Sequence, residues 1–143
     1  MFPASLPPVP LYSNSAGTIT YVADPVAAEN GYVHVRWTEA HACEAELQAV
    51  YLQVLYALKR YHVRKALSDP RRRPPMPQAL CEWVTRYWIP RAMLEADYSC
   101  VAVVTTSAPA DRLISYYTPL THRLQTRYFA SLAAAATWLH VPG

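Results

Sequence analysis

The hydrophobic period of the chain changes between residues 37 and 44, and this change limits the fold more than any other feature. In "YVHVRW", 32–37, side chains alternate strictly, with Val33, Val35 and Trp37 on one side and Tyr32, His34 and Arg36 on the other. A period of two residues marks a half-buried strand. From Glu44 onward, Leu47, Val50, Tyr51, Val54, Leu55 and Leu58 recur at steps of three and four. That spacing makes one apolar face of a helix about five turns long. Glu44 and Glu46 near its start and Lys59 and Arg60 near its end suit the helix dipole. A strand that feeds a long amphipathic helix calls for a sheet with helices laid on it.

The rest of the chain extends this alternation. The opening "MFPASLPPVP", with four prolines, predicts an extended arm over residues 1–10. Leu11–Ser13 and Thr18–Ala23 read as short strands around the turn "NSAG", and "ENG" at 29–31 marks a second turn. The chain therefore opens antiparallel. "VRKALSD", 63–69, is a further strand. A second helix starts near Pro77, a residue favoured in a first helical turn, with Leu80, Val84, Tyr87 and Trp88 as its stripe and Trp83 alongside. Pro90 predicts a kink at Ile89, then a short continuation through Ala92–Glu95. "YSCVAVVTT", 98–106, is apolar and β-branched enough for a strand covered on both faces. A third helix is expected from Ala110 to Pro119, with Tyr116 and Tyr117 on it, then an edge strand "TRYF", 126–129, and a last helix capped by Ser131. The fold class is α/β: a single domain over 11–143, with a mixed β-sheet whose antiparallel N-terminal strands are followed by alternating helices and strands. At 143 residues such a domain buries about 70% of its unfolded surface.

Composition narrows the chemistry. The three cysteines, Cys43, Cys81 and Cys100, have no paired spacing and read as reduced thiols of a cytoplasmic protein. No secretory signal and no run of about 20 apolar residues is present, so no membrane span is expected. His34, His41, His62, His122 and His140 are scattered without the recurring intervals of a zinc site. With three glycines in the chain, a glycine-rich phosphate cradle is nearly excluded, and neither a nucleophile elbow nor a dinucleotide fingerprint occurs. No cofactor and no metal are expected.

One stretch stands apart. "LSDPRRRPPMPQALCEW", 67–83, sets Arg71, Arg72 and Arg73 among four prolines, between a strand and a helix. Seven bases against one acid lie between Lys59 and Arg73, in a chain whose net charge is only +3. Such a concentration attracts anions or acidic partners, or simply keeps an edge solvated. In open α/β sheets ligands sit beyond the carboxyl ends of strands, and the free N–H groups of the helix beginning near Pro77 add positive character. Three consecutive arginines cannot all point one way, and Asp69 is the natural partner for one of them. Nucleic acid is disfavoured, because no recognition module accompanies the charge. Asp69 at a strand end is also the one placement to watch for acid–base chemistry, although a loop cap or arginine partner is the commoner role.

The order of elements, with "VHVRW" before the long helix, "LSDPRRRPP" at a strand end, "EWVTRYWIPRAMLEADYSCVAVV" and the closing "RYFASLAAAATWL", resembles the STAS-like, anti-anti-sigma-factor-like domains. It is similar in particular to small bacterial proteins of the SpoIIAA-like (STAS/SEC14) group, over roughly residues 11–140. The resemblance implies a non-enzymatic binding or regulatory module that contacts a protein partner, or in some relatives a small ligand. In the anti-anti-sigma relatives a serine at the junction after a strand is phosphorylated. The matching junction, 69–76, holds no hydroxyl residue, and Ser68 is out of register, so that switch is not carried over. The expected working surface is Asp69, Arg71, Arg72 and Arg73 with Trp83 and Trp88 of the next helix, since Trp and Arg dominate binding hot spots. A homodimer through these faces is equally compatible. The alternative is a pocket at the strand ends near Asp69 that takes an anionic or lipid-like small molecule, or supports weak catalysis. A deep apolar pocket beside 69–76 would favour the ligand, and a flat aromatic patch there a protein partner.

Overall fold

The computed structural model describes residues 7–105 and 124–141. Six strands form a single mixed sheet in sequence order: β1 (Val9–Ser13), β2 (Gly17–Val22), β3 (Tyr32–Trp37), β4 (Lys65–Asp69), β5 (Cys100–Val104) and β6 (Gln125–Phe129). The first three strands pair antiparallel and β3 to β6 pair parallel, which is the mixed α/β sheet expected. β1 starts at Val9, inside the proline-rich arm, and a register shift beside Pro10 accommodates the missing N–H on this edge strand. The helix expected between Ala110 and Pro119, with Tyr116 and Tyr117, lies outside the described residues.

Both faces of the sheet are covered, and the side-chain alternation decides which residue meets which layer. Val33, Val35 and Trp37 of β3 join Ala66 of β4 and Val101 and Val103 of β5 in one core, against helix α1 (Glu44–Tyr61) and the helical run after β4. The whole α1 stripe read from the sequence is buried there. Each such Leu or Val contributes about 1.5–3 kcal/mol by leaving water. The opposite face packs Leu67, Ala102 and Val104 against Ala135 and Leu139 of the C-terminal helix α4 (Leu132–His140). β5 is apolar at every position because it meets both layers. Helix α1 stops where His62 turns left-handed, at φ 53°, and its N–H bonds back to the Leu58 carbonyl.

The run after β4 continues past Pro90, as expected, and does so by a change of helical register. Helix α2 (Gln78–Trp83) passes directly into a π turn over Val84–Trp88 and then into α3 (Ile89–Ala96), with no break at Ile89. Pro90 has no N–H to give the preceding turn, so an α register would leave a carbonyl unpaired there. The wider turn absorbs that fault: the Ile89 N–H reaches the Val84 carbonyl, five residues back. Pro90 then falls in the first turn of α3, where it costs little.

Two polar ties hold α4. Lys65 is buried, and its Nζ donates to the carbonyls of Leu139 at 2.6 Å and Val141 at 3.0 Å, capping the helix end with a positive charge. His140 meets Asp24 at 3.1 Å. At the other end Ser131 accepts the Ala134 N–H at 3.2 Å, the cap read from the sequence.

Candidate functional site

β4 is an inner strand, so its carboxyl end opens between the ends of β3 and β5. Beyond Asp69 the chain turns tightly, the Arg73 N–H bonding the Pro70 carbonyl at 3.0 Å. Pro70 and the prolines at 74, 75 and 77 leave this connection few other conformations. The three arginines it carries do not share one environment. Successive residues of a turn diverge, and each guanidinium finds a different environment.

Arg71 folds back on Asp69 in a fork: Nε donates to Oδ1 at 2.8 Å and Nη2 to Oδ2 at 2.9 Å. These bonds hold the Asp69 carboxyl below its usual range despite its burial. Arg72 is exposed, with no ion-pair partner among the described residues. Arg73 lies across the Trp37 ring, its guanidinium carbon 4.6 Å from the ring centroid. Its Nη1 is sealed from solvent and has no hydrogen-bond partner.

Arg73 also forms part of the wall of a cavity of about 60 Å³ between the sheet and its helices. Val35, Ala66 and Val101 make the sheet side, Tyr51 comes from α1, and Val84 and Trp88 come from the π turn. Among the described residues, Arg73 is the one charged group on that wall. The aromatic side is rigid. Trp88 Nε1 donates to the Tyr51 carbonyl at 2.6 Å, and the Tyr51 ring sits 5.1 Å from Trp37 and 5.2 Å from Trp88. Trp37 Nε1 donates to Ser68 Oγ at 3.1 Å, fixing the indole across the ends of β3 and β4.

A second, polar hollow of about 240 Å³ lies at the same strand ends, lined by Arg36, Trp37, Asp69, Arg71 and Arg72. Trp37 borders both spaces. On the sheet face that carries Asp69, His34 is half-buried, with Nε2 sealed and unpartnered. Burial pushes its pKa down, only partly offset by the Asp69 carboxylate.

The two tryptophans named from the sequence are therefore placed differently from the arginines. Trp88 is 3% exposed, a wall of the cavity rather than an outward contact residue. Trp83 is half-buried, its ring 6.3 Å from that of Tyr51. Between them Tyr87 turns outward, 49% exposed. The widened π turn shifts the helical faces, which an ideal period of 3.6 does not foresee. Sequence reasoning missed Arg36, Trp37 and Tyr51 as site residues. The signal for Trp37 was present: an inward aromatic as the last residue of a strand, at the edge where ligands collect. Tyr51 looked like one more core position of α1.

Among the described residues no helix is long and apolar enough to cross a membrane, and no cluster of three or more His, Cys, Asp or Glu could hold a metal ion. No protein-family model matches the chain, and no curated protein matches it. Among solved structures, an uncharacterized protein of the DUF3478 family with a SpoIIAA-like fold, from Shewanella loihica PV-4, aligns at 14% identity and a TM-score of 0.49, covering 90% of this chain and 98% of that one.

Proposed function

We propose that this chain binds a small anionic molecule with a short apolar end, held in the cavity under the Asp69–Arg73 turn with its charge on Arg73. One observation carries this reading: among the described residues, the one charged group on a mostly apolar wall, which also includes Ser68 and Thr126, keeps an N–H that is buried and unpaired. An unmet buried donor costs about 1–3 kcal/mol, and an anion beside it would recover that cost. A cavity of about 60 Å³ is well below the roughly 150 Å³ that admits benzene, so the apolar end is a short aliphatic group. Asp69 is already engaged by Arg71, so it serves as an anchor for the turn and not as an acid or base.

The test is calorimetric titration with butyrate and the neutral butanol, on wild type and Arg73→Met. Butyrate is expected to bind in roughly the micromolar to millimolar range allowed by so few atoms. Butanol and the variant should bind at least about tenfold more weakly, the loss of one charge-assisted bond. Equal binding of butyrate to both proteins would refute the assignment of Arg73.

A protein partner on the same loop is the second reading, favoured by the exposure of Arg72 and Tyr87. A pull-down comparing wild type with the triple Arg71, Arg72 and Arg73→Ala variant tests it. Recovery of the same proteins by both baits would dispose of the loop as a contact surface.

A further inference from the structure

We infer that the ligand is a short aliphatic acid hydroxylated at its far carbon, with its carboxylate on Arg73 and its hydroxyl on Thr126. This rests on the small-molecule reading above and specifies the ligand class. Thr126 belongs to β6 and pairs with Val101 of β5, which pairs in turn with Ala66 of β4. Residues directly opposite one another stand on the same face of a sheet, and all three line the one cavity that Arg73 also borders. A threonine Oγ is bonded to Cβ, so the strand register alone carries it to that side of the sheet. Thr126 is half-buried, and its hydroxyl has no hydrogen-bond partner among the described residues.

The other hydroxyls of the wall are differently placed. Ser68 Oγ accepts the Trp37 indole N–H at 3.1 Å, and Tyr51 Oη lies 3.8 Å from the Met76 sulfur. The Tyr98 ring stands edge-on to that of Trp88, their centroids 5.5 Å apart. Arg73 and Thr126 occupy opposite corners of the cavity. The row of Ala66, Val101 and Thr126 lies three residues before Asp69, about 10 Å along the strands. β6 is two strands away from β4, about another 10 Å across the sheet. An extended four-carbon hydroxy acid with a hydrogen bond of about 2.9 Å at each end covers about 12 Å, and the inward reach of the two side chains supplies the remainder. A ligand ending in a methyl group leaves the Thr126 hydroxyl unpaired, whereas a terminal hydroxyl gives it a partner.

Calorimetry on the full chain tests this with butyrate, 4-hydroxybutyrate and 2-hydroxybutyrate. Wild type should bind 4-hydroxybutyrate about fivefold more tightly than butyrate, for one added neutral hydrogen bond. In Thr126→Val, which keeps nearly the same shape without the hydroxyl, that preference should vanish while butyrate affinity is unchanged, which also shows that the variant is folded. Tyr98→Phe should keep the preference. Equal affinities in wild type, a preference that survives Thr126→Val, or one lost in Tyr98→Phe would overturn the role of Thr126 while leaving the small-molecule reading intact. A Thr126-dependent preference for 2-hydroxybutyrate as large as that for the 4-isomer would overturn the placement of the hydroxyl at the far carbon. Binding of none of these acids to wild type would overturn both readings.

Discussion

Arg73→Met separates a residue kept for binding from one kept for folding. The substitution retains the apolar stem and removes the guanidinium. Loss of its contact with Trp37, at 4.6 Å, costs about 1–2 kcal/mol for a partly desolvated pair. Removing the sealed, unpaired Nη1 returns about 1–3 kcal/mol. The two nearly cancel, so the variant should lie within about 1 kcal/mol of wild type, on the stabilising side if either. For a domain of 143 residues that corresponds to no more than about 5 °C in Tm. Urea denaturation followed by tryptophan fluorescence, with the slope m unchanged between the two proteins, measures it. The same samples, titrated with butyrate, should show the affinity lost. Destabilisation beyond about 2 kcal/mol would mean that the guanidinium is a structural pillar of the turn, and the argument from its unpaired donor would fall.

Other perturbations probe the frame around the site. Lys65→Met leaves the carbonyls of Leu139 and Val141 without their donor and should cost about 2 kcal/mol, after allowing for relief of the ammonium's own burial. Hydrogen exchange should accelerate selectively in Leu132–His140, and uniform acceleration throughout the chain would contradict a local tie. Trp88→Phe removes the bond to the Tyr51 carbonyl and part of the cavity wall. It should cost about 2–3 kcal/mol while tightening the binding of a longer alkyl chain such as octanoate; weaker binding of every chain length would count against the cavity as the site. Asp69 is held below its usual range, chiefly by the Arg71 side chain. A carboxyl depressed on folding contributes stability that is present above its unfolded value near 3.9 and is lost as pH falls through the folded value. Asp69→Asn should therefore flatten the loss of stability below about pH 4, measured by urea midpoints, and an unchanged acid limb would show that the pair with Arg71 is not maintained in solution.

The alternation of "YVHVRW" and the stripe from Leu47 to Leu58 were enough to place a strand and a helix, because burial on one side of a regular backbone imposes its period on the side chains. The Ser131 cap and the doubly covered strand around Val101–Val104 were legible for the same local reason. The arginine triplet was visible as a charge anomaly, and the pairing of one member with Asp69 followed from proximity along the chain. Pro90 marked where the helix leaves α geometry; that it does so through a π turn was not legible, because the rule for proline describes only the α register.

What the sequence by itself determined was the order of elements, their inward faces and the presence of an arginine-bearing turn at a strand end, all of which depend on neighbours a few residues apart. Tertiary structure alone decided that Arg73 would lie on Trp37, thirty-six positions earlier, and that Tyr87, a member of the apolar stripe, would turn outward. It also joined Lys65 to the end of the last helix. Those contacts are set by the lateral order of β3 and β4 and by the extra residue of the π turn. Neither leaves a periodic trace in the chain, so the cavity, its single charge and the hollow beside it emerge only when the sheet is assembled.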